Sequence, residues 1–177
     1  MQGTSTMKIQ PVTDETRPKA KALLLLAFSG STYEAELVQR LHANHKAMHA
    51  WVCIQTNRVI GFIAFTNAYH GKDVCGLHLA PMAVTPEFQR QGVGSQLIRF
   101  ALRQPAVKEQ TLFVLGAPAF YRKFGFEPAA TPICPFDKDN AHFLAMRNTA
   151  GASYVVGYEA EFGDPKKTSA AKAKKRR

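Results

Sequence analysis

No stretch of this chain is apolar for long enough to cross a membrane as a helix, which takes about 20 residues. The longest apolar run, Ala22 to Phe28, is far shorter than that. Met1 to Lys8 is polar and lacks the apolar block of a secretory signal, and Met7 is a second candidate for the native start. Cysteine is scarce. Cys53, Cys75 and Cys134 are odd in number and never spaced as C-x-x-C, which excludes the common zinc and redox motifs. They read as reduced thiols of a cytoplasmic protein, with Cys53 a small core residue inside an apolar run. Acid is scarce as well, with 13 acidic against 23 basic residues and a net charge of +10. Seven of those basic residues fall between Lys166 and Arg177, where there is no acid, so 16 face 13 over the rest. The basicity belongs to the tail, and the body makes no strong case for nucleic acid.

What is present suits one globular α/β domain, 46% hydrophobic over 177 residues. Lys8 to Val12 predicts a first strand. Thr13-Asp14-Glu15 supplies cap-like residues before an apolar helix around Lys19 to Phe28. Tyr33, Leu37 and Leu41 share one face of a second helix, Tyr33 to His42. Ala50 to Thr56 and Val59 to Thr66 read as a hairpin, and Leu77 to Val84 as a further strand containing Pro81. Val93 to Arg103 is an amphipathic helix with Val93, Leu97, Ile98 and Ala101 inward. A continuous apolar strand, Thr111 to Leu115, follows, then a short helix at Pro118 to Phe124. His142 to Arg147 and Ser153 to Glu159 read as two closing strands. Strand, glycine turn, helix and strand imply a central parallel crossover, and the hairpin implies antiparallel pairing beside it. The domain is expected over residues 1–163, with 164–177 a basic, low-complexity, disordered tail.

The most informative local feature is Gln89-Arg90-Gln91-Gly92-Val93-Gly94, set between a strand and a helix. Two glycines let the backbone turn and approach a ligand, and the helix that follows offers unpaired N–H groups and the positive end of its dipole. Together they make an anion site suited to a pyrophosphate, to which Arg90 adds charge. It is neither G-x-G-x-x-G nor a Walker loop, since Gln89 replaces the first glycine and no Lys-Ser/Thr follows Gly94. An ordinary strand-to-helix turn would have the same spacing.

A second feature, Phe120-Tyr121-Arg122-Lys123-Phe124-Gly125-Phe126, follows about thirty residues later. The pair resembles the GNAT (GCN5-related) N-acetyltransferase family. Leu79 to Phe88, Leu115-Gly116 and Gly157-Tyr158-Glu159 resemble its YhbS-like bacterial branch. The resemblance is strong over Leu77 to Glu127 and weaker over Lys8 to Phe162. It implies a mixed, mostly antiparallel sheet with helices on both faces and a central parallel pair splayed around acetyl-CoA. It implies that Met82, Ala83 and Val84 present main chain to the pantetheine, and that residues 89–94 with Ser95 hold the pyrophosphate. It implies direct attack of a primary amine on the thioester in a ternary complex. The Val84 amide would serve the oxyanion and Tyr121 would protonate the leaving thiolate, also touching the cofactor.

The base is open. Glu34 and Glu36 sit on the helix that borders the acceptor site in the family, or are solvated surface carboxylates. His78 points into the cleft or packs. His42, His45 and His49 have helical spacing but no acidic or cysteine companion, so no metal site is expected. Ala117 stands where relatives carry a capping Asp or Asn. Acceptor loops are expected at Ser29 to Glu36, Asn67 to Gly76 and Thr131 to Asn140, the last with Asp137 and Asp139 to attract a cationic amine or to remain solvated. The acceptor is a small amine, a peptide or a protein, and the assembly a monomer or homodimer. Two other readings stand beside the enzyme. One is a CoA-binding sensor without turnover. The other is an RNA- or ribosome-associated acetyltransferase targeted by its tail.

Overall fold

The computed structural model describes residues 6–165, and the basic stretch from Lys166 onward lies outside them. Seven strands, β1 (Lys8–Pro11), β2 (Met48–Gln55), β3 (Arg58–His70), β4 (Asp73–Val84), β5 (Leu112–Leu115), β6 (Glu127–Pro128) and β7 (Phe143–Met146), form one sheet. Their order is β1-β2-β3-β4-β5-β7-β6, with β4 and β5 the parallel pair. β1 runs antiparallel to β2, and β7 runs antiparallel to both β5 and β6. Four helices accompany the sheet: α1 (Arg17–Ala27), α2 (Tyr33–Ala43), α3 (Val93–Leu102) and α4 (Pro118–Tyr121). Among the described residues no helix is long and apolar enough to cross a membrane. The chain divides into two compact units. One comprises the chain as far as Phe65 with Leu79–Lys108, the other Thr66–His78 with the chain from Glu109 onward.

In the first unit the helices form where the apolar spacing requires. Leu37 and Leu41 of α2 are buried and Tyr33 is half-buried. α3 buries Val93, Leu97, Ile98 and Ala101 as its pattern predicts. Four consecutive leucines cannot share one face at 100° per residue. Leu23 and Leu24 of α1 therefore enter the core, and Leu25 and Leu26 stay exposed. The turn from β2 to β3 puts Thr56 and Asn57 both at positive φ (49° and 58°), the twist that a two-residue hairpin favours. α3 lies close against β3 at Gly61, where an added Cβ would sit 2.7 Å from Leu97 Cδ1 and 3.1 Å from Val93 Cγ1. Gly61→Ala is therefore expected to destabilise the fold by about 1–2 kcal/mol, the usual range for modest overpacking, as read by urea unfolding. An unchanged midpoint would show that α3 rides freely over the strand.

β4 is not regular. Leu77 N–H donates to Thr111 O at 2.9 Å, whereas Thr85 N–H donates to Ile60 O of β3, also at 2.9 Å. Residues eight apart in an unbroken strand point their amides the same way. The alternation thus slips between them, in the stretch that contains Pro81, which has no amide to pair.

The sequence and the structure differ in four places. Asn67 to Gly76 is not a loop, because β3 and β4 continue as a hairpin to a turn at Gly71-Lys72. Ser153 to Glu159 is not a strand and makes only isolated bridges, Tyr69 with Gly157 and Ile133 with Val155. Its two tyrosines pack as rings, His70 on Tyr154 and His78 on Tyr158. Pro118 to Phe124 is one α-turn followed by a 3-10 turn, Arg122–Phe124. The short β6 had no sequence signal.

The second unit packs Ala68, Phe113, Ala129, Cys134, Phe143, Ala145 and Val156 into one cluster, with Phe113 and Phe143 stacked at 5.6 Å.

Candidate cofactor and catalytic site

The first unit carries the turn. β4 ends at Val84, a 3-10 turn spans Pro86–Phe88, and Gly92 (φ 83°) caps α3 in the left-handed conformation. Arg90 is left-handed too, at φ 61°, which is unusual for a residue with a side chain. Gln96 is the first amide of this stretch to find a partner, donating to Gly92 O at 3.0 Å. The amides of Arg90, Gln91, Gly92, Val93, Gly94 and Ser95 meet no acceptor among the described residues. A Cβ built on Gly92 would meet nothing within 4 Å, so the space beside the turn is open. Consecutive amides at the start of a ten-residue helix present partial positive charge where a diphosphate can accept it.

Two glutamines of the motif serve the turn itself. Gln89 Nε2 donates to Val84 O at 3.0 Å, and Gln91 Nε2 donates to Glu87 O at 2.9 Å. What Gln91 offers an anion is its main-chain amide, whereas the Gln89 amide already donates to Pro86 O at 3.4 Å. Upstream, Thr85 faces β3, so strand alternation turns the main-chain groups of Met82 and Val84 away from β3. Ala83 lies between them and is turned the other way by the same alternation. Its main chain faces β3, and its side chain is buried in the core cluster.

The second unit carries Tyr121. Its ring packs edge-on to Phe120 (5.0 Å) and Phe126 (5.9 Å). Gly116 makes this possible, since a Cβ there would lie 2.5 Å from Tyr121 Cε2. Sequence reading gave Gly116 no role. Tyr121 is 9% exposed, and its hydroxyl has no partner among the described residues yet is not sealed from solvent. Burial pushes the phenol up to about 12, so it stays protonated at neutral pH. α4 starts at Ala117 with no capping side chain.

The remaining candidates separate. Glu34 is half-buried and accepts from Ser31 Oγ at 3.1 Å, a local contact at the start of α2. Glu36 is exposed and lies 3.7 Å from Arg40 one turn on. His78 packs. It is 1% exposed, stacks on Tyr158 at 3.6 Å, and its Nε2 lies 2.9 Å from Gly157 O. His42 and His45 are exposed, and no group of three metal-binding side chains occurs among the described residues. Asp137 accepts from His142 N–H at 2.7 Å, closing its own loop, while Asp139 is exposed. Sequence reading missed Arg58, whose guanidinium grips Glu87 with two bonds of 2.7 and 3.2 Å.

Three comparisons with known proteins bear on this arrangement. Residues 46–128 match the family model described as an acetyltransferase (GNAT) domain. The chain is 39% identical over 107 residues to YjhQ of Escherichia coli K12, named an uncharacterized N-acetyltransferase. That match spans 57% of this chain and 59% of YjhQ, less than two thirds of its length. It is 34% identical over 118 residues to YhbS of the same organism, likewise named an uncharacterized N-acetyltransferase, spanning 64% of this chain and 69% of YhbS. Among solved structures it resembles E. coli YhbS in complex with CoA, with a TM-score of 0.82 and 26% identity, covering 92% of this chain and 94% of that one. A GNAT acetyltransferase of Brucella melitensis in complex with acetyl-CoA gives 0.75 and 26%, covering 90% and 99%. A turn of open amides after an irregular strand, and a match of this extent to YhbS, lead to one conclusion: the chain belongs to the GNAT acetyltransferase family.

Proposed function

We propose that this protein transfers an acetyl group from acetyl-CoA to a primary amine by direct attack in a ternary complex. The observation that carries the reading is the run of six amides from Arg90 to Ser95 without an acceptor among the described residues. Both relatives named above with a CoA species in their structures support the donor. In this reading those amides, with the Arg90 side chain, Gly92 and Gly94, hold the diphosphate, and the main chain of Met82 and Val84 pairs with the pantetheine. The neutral amine nitrogen attacks the thioester carbonyl carbon, and the Val84 amide donates to the oxygen as it gains charge. The C–S bond then breaks. Tyr121 gives its proton to the departing thiolate, and the ammonium proton passes to a base on the acceptor side, for which Glu34 is our candidate. The unpaired thiols Cys53, Cys75 and Cys134 suit a cytoplasmic setting. We assign the domain to residues 1–163; the basic stretch from Lys166 lies outside the described residues.

The test is protection by CoA. At a hundred times its Kd, a ligand that binds only the folded state adds about 2.7 kcal/mol, so the melting temperature should rise by roughly 5–10 °C. Gly92→Val forces a β-branched side chain to φ 83°, and it should weaken CoA about ten-fold through the distorted turn. A wild-type melting curve that ignores CoA would remove the reading.

A further inference from the structure

We propose that Arg58 and Glu87 are positioning residues for the diphosphate-binding turn, acting on it through Gln91. The inference rests on the reading above that the turn binds the diphosphate of CoA. Neither residue belongs to the Gln89–Gly94 motif, and 29 positions of sequence separate them. Arg58 opens β3 directly after the left-handed pair Thr56 and Asn57, so the hairpin turn fixes where its side chain starts. Its two nitrogens meet the two carboxylate oxygens of Glu87, a bidentate geometry that restrains rotation as well as distance. The Glu87 carbonyl in turn accepts from Gln91 Nε2. Glu87 is thereby held at both ends, by Arg58 through its carboxylate and by Gln91 through its main chain.

What this linkage holds is a strained conformation. Arg90 is left-handed without being glycine, a state that persists only where its surroundings over-determine it. Those surroundings are the side chains on either side of it. Gln89 is tied back to Val84 and Gln91 to Glu87. With both ties made, the amides of 90–95 are set out before any ligand arrives, and binding need not order them. If Glu87 swings free, one tie loses its fixed anchor. The pair is about half exposed, so its direct weight in folding is small. Its effect should therefore appear in donor binding and not in the stability of the free protein.

Charge provides the discriminating measurement. If Arg58 and Glu87 acted on the anionic donor only through their fields, Arg58→Ala would weaken CoA and Glu87→Gln would strengthen it. Positioning predicts that both weaken it. CoA affinity is measured by calorimetry on the full chain, and the melting temperature without ligand is recorded beside it. Both variants should bind CoA about 3- to 10-fold less tightly while melting within about 2 °C of wild type, as an exposed pair allows. The charge-exchanged double variant R58E/E87R should recover to within about 2-fold, and Gln91→Leu should add little to Arg58→Ala, because one linkage is cut twice. Tighter binding by Glu87→Gln, or unchanged binding by both single variants, overturns the proposal. Failure of wild type to bind CoA would overturn the proposed function instead, and is seen in the first titration.

Discussion

Tyr121→Phe is expected to lower kcat for acetyl transfer by ten-fold or more while leaving CoA affinity and folding close to wild type. The substitution removes one atom, and the structure shows how little else that atom does. The ring is held by Phe120, Phe126 and the space that Gly116 leaves, and phenylalanine keeps all three contacts. The hydroxyl has no partner among the described residues, so no bond in the free protein is lost. A positioned acid contributes typically about 10²–10⁴-fold, and ten-fold is the floor when water can substitute. Because burial holds the phenol near 12, it stays protonated through the alkaline range in which most amines become neutral. An alkaline fall in rate below about pH 10 would then report another group. Single-turnover measurements separate chemistry from donor binding. A kcat equal to wild type would reduce Tyr121 to a packing residue.

The sequence carried the glycine turn at Gly92 and α3 well, because both rest on local rules. The glycines mark a turn, and Val93, Leu97 and Ala101 mark a face. The acid role proposed for Tyr121 rests on a motif, since nothing local in the sequence distinguishes such a phenol from a core tyrosine. The space around it comes from Gly116, five residues earlier, which a one-dimensional pattern cannot weigh. The hairpin through Gly71-Lys72 was misread as a loop because Asn67, Gly71, Lys72 and Asp73 look like loop composition. Strand pairing decides there: Asn67 lies within β3, Asp73 opens β4, and only Gly71-Lys72 is left as the turn. Ser153 to Glu159 was misread in the opposite sense. Its branched and aromatic residues look like a strand, yet Tyr154 and Tyr158 stack on His70 and His78. Arg58 and Glu87 could not be found at all, since a pair 29 residues apart leaves no periodic trace. The tail expectation concerns residues outside those described.

The buried imidazole of His78 leads to the largest expected change in stability with pH. Gly157 O can only accept, so Nε2 carries the proton of the neutral ring, and Nδ1 faces the interior with no partner among the described residues. The ring lies flat on Tyr158 and 5.7 Å from Phe113, and neither offers an acceptor to a proton at Nδ1. Glu159, on the same segment, takes its hydrogen bond from Tyr69 at 2.6 Å. Burial therefore pushes the imidazole down to about 4 from its ordinary value of 6.5. Between those values the unfolded chain holds more protons than the folded one. The contribution is whole above about pH 6.5 and drains away as pH falls toward 4. At about 1.4 kcal/mol per unit, the window is worth about 3 kcal/mol. Urea unfolding at pH 7 and pH 4.5 should thus show wild type losing about 2–3 kcal/mol more than His78→Phe. The variant keeps an aromatic face for Tyr158 and cannot titrate. Carboxylates that titrate over the same range contribute to both proteins and cancel in the difference. Parallel losses in the two proteins would mean that the ring takes up its proton without cost, and that the interior around Nδ1 is wetter than the packing of Tyr158 and Phe113 allows.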